Sequence, residues 1–452
     1  DFVNRTDGSW TEVGAVDLKR HKVWESNRFY DNIMLGDIDR GISFYLPKAY
    51  PAIREFKQNW VRADREGLTV ELVNEPIELK AAEKRSFEFA FCAYPFRPRE
   101  NNWRKLRFRA GKNNNFDLVW QTDPMFKYAG SLAVSGNDER MKKYLENKVE
   151  YQLFYQIPTY ILEKIPAWSF FQDQWRAMPS RAYDMEQFGP LTKGDFRKRS
   201  WCDLYVKNLA EMMAKFPWDG VYYDCFGTDV FTENGESFNP VFELRDFQER
   251  IYNVQRLHDP DSLTVVHAGA DQGATMLAYA NVVLMGEQYR AKFMNYTYYP
   301  EFLTMDEFRY ENAVDMGPDR MLLPQYRHAE KTSSPLTSTH VMGMALLHNL
   351  MIYPNFIRKD IELSIRDRQY AFGMENAEFF GYWKPNPDGV KSSNPEVYVS
   401  YYKNARGLFV CALNYSARQQ ATDLSVYGSF AKSTVFVPVA GKEAPFTGKL
   451  EI

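Results

Sequence analysis

The stretch Trp218-Asp219-Gly220-Val221-Tyr222-Tyr223-Asp224-Cys225 decides how this chain is read. A turn pair, Asp219-Gly220, leads into three apolar or aromatic residues, and a carboxylate closes the run. Helical patterns flank it. Before it, in residues 201–216, Trp201, Leu204, Tyr205, Asn208, Leu209, Met212 and Met213 recur at the spacing of one helix face. After it, residues 242–258 repeat the pattern. A short apolar run between two helices is a strand covered on both faces, which belongs in a parallel sheet.

Working outward, the same alternation recurs. Strands are expected at 116–121, 151–157, 220–225, 263–269, 282–285, 321–326 and 351–354. Helices are expected at 138–149, 201–216, 242–258, 273–280, 304–313, 338–349 and 361–374. Seven strands with helical crossovers come close to the eight that close a (β/α)8 TIM-type barrel, and the Trp-rich region 165–190 is where the missing strand is expected. A doubly wound sheet is the competing fold, weakened in its dinucleotide-binding form because no GxGxxG loop follows any of these strands.

Before and after this region the texture is all β. In residues 29–98, runs such as 42–45, 68–73 and 87–94 are rich in β-branched and aromatic residues, and Phe87, Phe89 and Phe91 share one parity. Pro95, Pro98 and the polar run Glu100–Asn102 end that pattern. After Trp383 the strand-like runs 397–402, 408–414 and 434–439 alternate with polar turns. The expected organisation is an N-terminal β-sandwich over 1–105, a barrel over 106–384 and a C-terminal β-sandwich over 385–452.

The 452 residues exceed one ordinary compact domain, and a hydrophobic fraction of 45% supplies a large core. A net charge of −3 argues against nucleic acid or an anionic membrane as main partner. No apolar run approaches the ~18 residues of a membrane span. The 29 Tyr, 33 Phe and 10 Trp suit a site that stacks rings on the apolar faces of sugars, although large cores use aromatics too. Cys92, Cys202, Cys225 and Cys411 form no CxxC pair, so neither a structural zinc nor a disulfide framework is expected. No metal or cofactor is expected: the six His are scattered, and GxSxG, HExxH, P-loop and EF-hand motifs are all absent. The chain begins at Asp1, without Met, which leaves room for a leader ahead of it.

In parallel α/β barrels chemistry sits where strands end. Asp219, ahead of its strand, reads as a turn residue. Asp224, at the far end, is placed to attack an anomeric carbon or to stabilise charge on it, the alternative being a helix cap. Glu287, delivered by Val282-Val283-Leu284-Met285-Gly286, is the second carboxylate, an acid/base whose apolar walls suit proton donation. Its alternative is an ion pair with Arg290 that stabilises a loop. Other strand ends add substrate-binding candidates: Trp120, Tyr155, Tyr223, His267, Asp271, Tyr289, Arg290, Gln325 and His328. Asp271 and Glu330 rival Glu287, and Asp271 equally suits a helix N-cap. Asp306-Glu307 falls in a helical stretch and reads as a solvated face.

The segment Ile33-Met34-Leu35-Gly36-Asp37-Ile38-Asp39-Arg40-Gly41-Ile42-Ser43-Phe44 resembles the start of the N-terminal β-domain that accompanies catalytic barrels related to glycoside hydrolase family 123. The strand Leu72–Leu79 and the run Phe87–Pro98 continue the likeness, which covers most of 30–98. The resemblance implies an extracytoplasmic bacterial enzyme of polysaccharide or glycan breakdown. The barrel departs from that family, which uses an adjacent Asp-Glu pair at a strand end with the substrate's acetamido group as nucleophile. Asp224 and Glu287 instead look like retaining α-glycosidases, with a nucleophile after the fourth strand and an acid/base after the sixth. The leading expectation is a retaining glycoside hydrolase acting on carbohydrate. A non-catalytic carbohydrate-binding barrel and a polysaccharide lyase, with Tyr289 and Arg290 or Tyr326 and His328 at its centre, are the alternatives.

Overall fold

The computed structural model describes residues 2–6, 14–26, 30, 32–47, 60–73, 76–99, 103–108, 116–119, 146, 149–177, 182–185, 189–227, 231–233, 236–267, 277–324, 334–428 and 433–452. The fold is mixed α/β. It divides into two compact units, one of Asp1–Arg99, Phe116–Leu284 and Val314–Pro318, the other of Glu100–Asn115, Met285–Ala313 and Asp319–Ile452.

In the first unit a parallel run carries the site. Its strands are β1 (Phe116–Val119), β2 (Tyr151–Gln156), β3 (Gly220–Tyr223), β4 (Leu263–His267) and β5 (Val282–Met285, whose last residue belongs to the second unit). Register pairs Leu153 with Gly220, Gly220 with Leu263, and Val265 with Val282. Every residue of β3, β4 and β5 is buried, which is why these runs lack polar alternation. Gly220 is required by the close approach of β4: a Cβ there would lie 2.0 Å from the Leu263 carbonyl oxygen. Helices α1 (Arg199–Lys215) and α2 (Val241–His258) supply the crossovers and turn Trp201, Tyr205, Leu209, Met212 and Met213, and Leu244, Phe247 and Ile251, into the core.

The N-terminal strands of this unit form an antiparallel five-stranded sheet, ordered Gly14–Asp17, Phe2–Thr6, Asn32–Gly36, Gly41–Tyr45 and Ala90–Tyr94. A three-stranded sheet accompanies it, and Leu18, Ile33, Leu46, Trp60 and Val61 share one core. Backbone bonds tie this region onward: Phe96 N–H donates to Met316 O at 3.0 Å, Asp315 N–H to Ile38 O at 2.7 Å. The first unit leaves this region at Arg99, six residues before the expected boundary at 105/106, and resumes at Phe116.

In the second unit α3 (Met305–Asn312), β6 (Asp319–Leu322), α4 (Pro335–Leu347), β7 (Met351–Ile352) and α5 (Lys359–Phe372) continue the alternation, and β6 pairs in parallel with β7. Leu323 N–H donates to Met285 O at 2.6 Å. The antiparallel strands Glu378–Phe380, Val397–Asn404 and Gly407–Asn414 pack on α4, where Tyr402 Oη–H and Ser400 Oγ–H donate to Leu346 O and Leu347 O, each at 2.8 Å. Cys411 and Leu413 share a core with Val341, Met344, Ile361 and Ile365. The expected boundary at 384/385 thus crosses one hydrophobic core.

All seven expected strands are present. Among the described residues β1 to β5 pair in parallel in the first unit and β6 with β7 in the second, and neither unit shows a closed barrel. The eighth strand expected in 165–190 is not a member of the run. Trp168–Trp175 is a helix, and Ala182–Met185 belongs to a three-stranded antiparallel sheet with Tyr160–Leu162 and Gly189–Lys193. None of the four cysteines forms a disulfide. Among the described residues no helix is long and apolar enough to cross a membrane.

Candidate active site

Side chains alternate across a strand, so the register of β2, β3 and β4 fixes which residues share a face. Tyr155 pairs with Tyr222 and Tyr222 with Val265, which puts Tyr155, Tyr222, Asp224 and His267 on one face at the C-terminal ends of three neighbouring strands. Gln156 and Tyr223 face the other way. There Tyr205 Oη–H of α1 donates to Gln156 Oε1 at 3.2 Å, and Gln255 Nε2 of α2 donates to the Tyr223 hydroxyl at 2.9 Å.

This parity separates Tyr222 from Tyr223, the residue expected to bind substrate. Tyr223 is fully buried, and burial pushes its hydroxyl well above the usual tyrosine value. It is a core residue against α2, whereas Tyr222, one position earlier, stands beside Asp224. The signal was present in the sequence: residues 222 and 224 share a parity that 223 lacks.

Asp224 is the centre of the cluster. The Tyr155 hydroxyl donates to its Oδ2, while His267 Nδ1 and the Cys225 amide donate to Oδ1, each at 2.8 Å. With Nδ1 donating to the carboxylate, the Tyr222 oxygen at 3.1 Å takes a weaker share of the same proton. The tyrosine and imidazole rings stack at 6.4 Å and 23°, which holds the imidazole plane. The Asp224 side chain is 14% exposed and that of His267 4%. Burial alone would raise the Asp224 pKa. The His267 hydrogen bond and charge, then the Tyr155 hydroxyl and the Cys225 amide, outweigh it and hold the carboxyl below the usual carboxylate range. At neutral pH it is an anion fixed by three donors, fit to attack or stabilise a cationic centre and unfit to donate a proton.

Asp219, at the other end of β3, accepts the Gln152 amide at 2.8 Å and returns its own amide to Gln152 O at 3.0 Å, which pins the strand entry. The carboxylate at the entry is thus a backbone clamp, and the one at the exit is offered to the site.

In the second unit Gly286 turns the chain out of β5. Its φ is 114°, and a Cβ would lie 2.4 Å from Leu323 O, so only glycine fits. Glu287 then opens a short 3-10 turn and pairs with Arg290 at 3.2 Å, the pairing weighed from sequence. Tyr289 follows as a core residue. It is 4% exposed, its hydroxyl donates to Glu311 and accepts from Asn312 Nδ2 at 2.7 Å, and burial pushes it well above the usual value. Its ring packs among Tyr299, Phe302 and Phe308. Asp306 and Glu307 lie in the first turn of α3, where Glu307 completes a capping box with Thr304 and Asp306 pairs with Arg309 at 2.9 Å.

Trp120, Asp271, Gln325, Tyr326, His328 and Glu330 lie outside the described residues. Among the described residues no group of three or more His, Cys, Asp or Glu is arranged to hold a metal ion.

A comparison with solved structures returns several glycosidases at low identity. The noncanonic maltogenic alpha-amylase AmyB from Thermotoga neapolitana is 11% identical over 75% of this chain and 88% of its own, with a TM-score of 0.49. The GH36 alpha-galactosidase AgaA from Geobacillus stearothermophilus is 11% identical over 100% of this chain and 74% of its own, with a TM-score of 0.47. An Anoxybacillus alpha-amylase is 10% identical over 70% and 75%, with a TM-score of 0.44. No family model matches the chain, and no curated protein matches it, so the family 123 resemblance stands on residues 30–98 alone.

Proposed function

We propose that this chain is a glycoside hydrolase acting on a polysaccharide or glycan, with Asp224 as nucleophile of a retaining mechanism. The observation that carries this reading is the ionised Asp224 carboxylate at the C-terminal end of a buried parallel strand, fixed by Tyr155, His267 and the Cys225 amide. A carboxylate poised in this way suits an oxocarbenium-like transition state, and a covalent glycosyl ester on Oδ2 would leave both Oδ1 hydrogen bonds in place. His267 and Tyr222 orient the carboxylate. Glu287 is proposed as acid/base from its place in the sequence after β5, and Arg290 then tunes it. The likeness of residues 30–98 to domains of glycan-degrading enzymes supports the substrate class and an extracytoplasmic setting.

The test is a panel of polysaccharides and 4-nitrophenyl glycosides, with new reducing ends and the anomer of the first-formed product both followed. The proposal expects reducing ends and a retained anomer, with Glu287→Gln impaired most on substrates with poor leaving groups. Unsaturated, ultraviolet-absorbing products would make the chain a lyase. Binding without cleavage across the panel would make it a carbohydrate-binding protein.

A further inference from the structure

We propose that Thr159 is a positioning residue for Asp224, acting through the backbone turn at Cys225; this rests on the reading of Asp224 as the reacting carboxylate. Cys225 has φ 50°, in the left-handed region that non-glycine residues rarely occupy. Such a conformation persists only where its surroundings hold it. Its amide, in the peptide plane shared with Asp224, donates to Asp224 Oδ1 at 2.8 Å, so the strained residue directly follows one of the bonds that hold the carboxylate. With the chain after Cys225 held in place, a β or right-handed φ at 225 is reached only by rotating the 224–225 peptide plane, which takes that amide off Oδ1 and removes one of the three donors.

The turn is held from both ends by one neighbouring segment. Asp224 N–H donates to Gln156 O, the last residue of β2, at 2.7 Å. Three residues on, Thr159 Oγ1–H donates to Cys225 O at 2.6 Å. Thr159 is 2% exposed, and its own carbonyl accepts the Gly194 amide at 2.9 Å, so the hydroxyl sits on an anchored backbone. The Asp224-Cys225 pair is therefore bracketed between Gln156 O and the Thr159 hydroxyl. Valine at 159 keeps the shape and loses the donor, which frees the Cys225 carbonyl to rotate. Serine keeps the donor. Glycine at 225 adopts φ 50° without strain and makes the clamp dispensable.

The experiment follows the histidine ring N–H proton resonances of the full chain at neutral pH, without substrate. An Nδ1–H held by a buried carboxylate resonates far downfield, and its disappearance in Asp224→Asn assigns the signal to His267. The proposal expects the signal to be lost or moved upfield in Thr159→Val, kept in Thr159→Ser, and restored in Thr159→Val with Cys225→Gly. A folded Thr159→Val with an unchanged signal overturns it. If Thr159→Val does not fold, the double variant decides: folded with the wild-type signal it supports the clamp, and folded without the signal, or unfolded, it contradicts it. On a 4-nitrophenyl glycoside that the wild type cleaves, Thr159→Val should lower kcat at least tenfold with KM within about twofold, and the double variant should recover most of it. The resonance reports the clamp even if no glycoside is cleaved, so failure here and failure of the hydrolase reading are distinguishable.

Discussion

Asp224 is nearly buried and still ionised, and that combination drives its expected chemistry. A carboxylate removed from water is costly unless donors replace the lost hydration, and hydrogen bonds to a charged group return about 1.5–3 kcal/mol each. Three donors meet it here. Asp224→Asn keeps the shape and removes the charge, so turnover should fall by about three orders of magnitude or more while the far-ultraviolet circular dichroism spectrum stays unchanged. Tyr155→Phe removes one donor, so kcat/KM should fall about tenfold, and the acid limb of its pH profile should move upward. In the wild type that limb should lie below the ordinary aspartate value of 3.8, because the folded carboxyl is held lower. The stability that Asp224 contributes is present above 3.8 and is lost as pH falls through its depressed folded value. At this scale the sequence was half legible. The exit of β3 marked Asp224 and the exit of β4 marked His267, but choosing Tyr223 over Tyr222 ignored strand parity. The Thr159 clamp has no sequence signal, because the left-handed turn it serves falls on a cysteine.

At the level of elements, the buried strands and amphipathic helices were legible because their periodicities differ. The run 282–285 is β5 to the residue, and the helix expected at 242–258 begins one residue earlier, at Val241. The region 165–190 was opaque because a tryptophan-rich helix and a small antiparallel sheet both draw on aromatic residues. Glycine at 286 is a sharp element-scale test. Gly286→Ala would place a Cβ against Leu323 O at a φ that disfavours it, so a loss of about 1–3 kcal/mol is expected by denaturant titration. Helix α4 and its C-cap offer a second. His340 and His348 are 7% and 3% exposed, and burial lowers them to about 4 and about 3. Unfolded histidine titrates near ~6.5, so below that pH the unfolded chain binds the extra protons. Stability should fall as pH drops from about 6.5 toward 4, by up to ~1.4 kcal/mol per unit for each histidine, with no contribution changing above 7. Melting temperatures at pH 7 and pH 5 check the sign, and His340→Gln should flatten the slope.

Across the whole molecule, the parallel α/β pattern and the β-rich ends were read from texture, while compactness groups the chain into two units. Composition changes at 105 and 385 mark changes of secondary structure, whereas compactness follows buried contacts. The strands Val397–Asn404 and Gly407–Asn414 complete the core of α4 and α5, and Ile38 and Phe96, just outside the strands of the N-terminal sheet, are bonded to residues 315 and 316. Truncation at 384 should therefore expose apolar surface around Met344 and Ile361 and yield an insoluble or dye-binding product rather than an independent domain.

The central claim is that Asp224 forms the covalent intermediate. The most direct test incubates the chain with activated 2-deoxy-2-fluoro glycosides of the sugars it cleaves, then locates any adduct by mass spectrometry of the digested protein. The account predicts one glycosyl adduct, on the peptide containing Asp224, formed as activity is lost and absent from Asp224→Asn. A chain that hydrolyses the parent sugars yet bears its adduct on another carboxylate, or bears none and yields the inverted anomer, would contradict it.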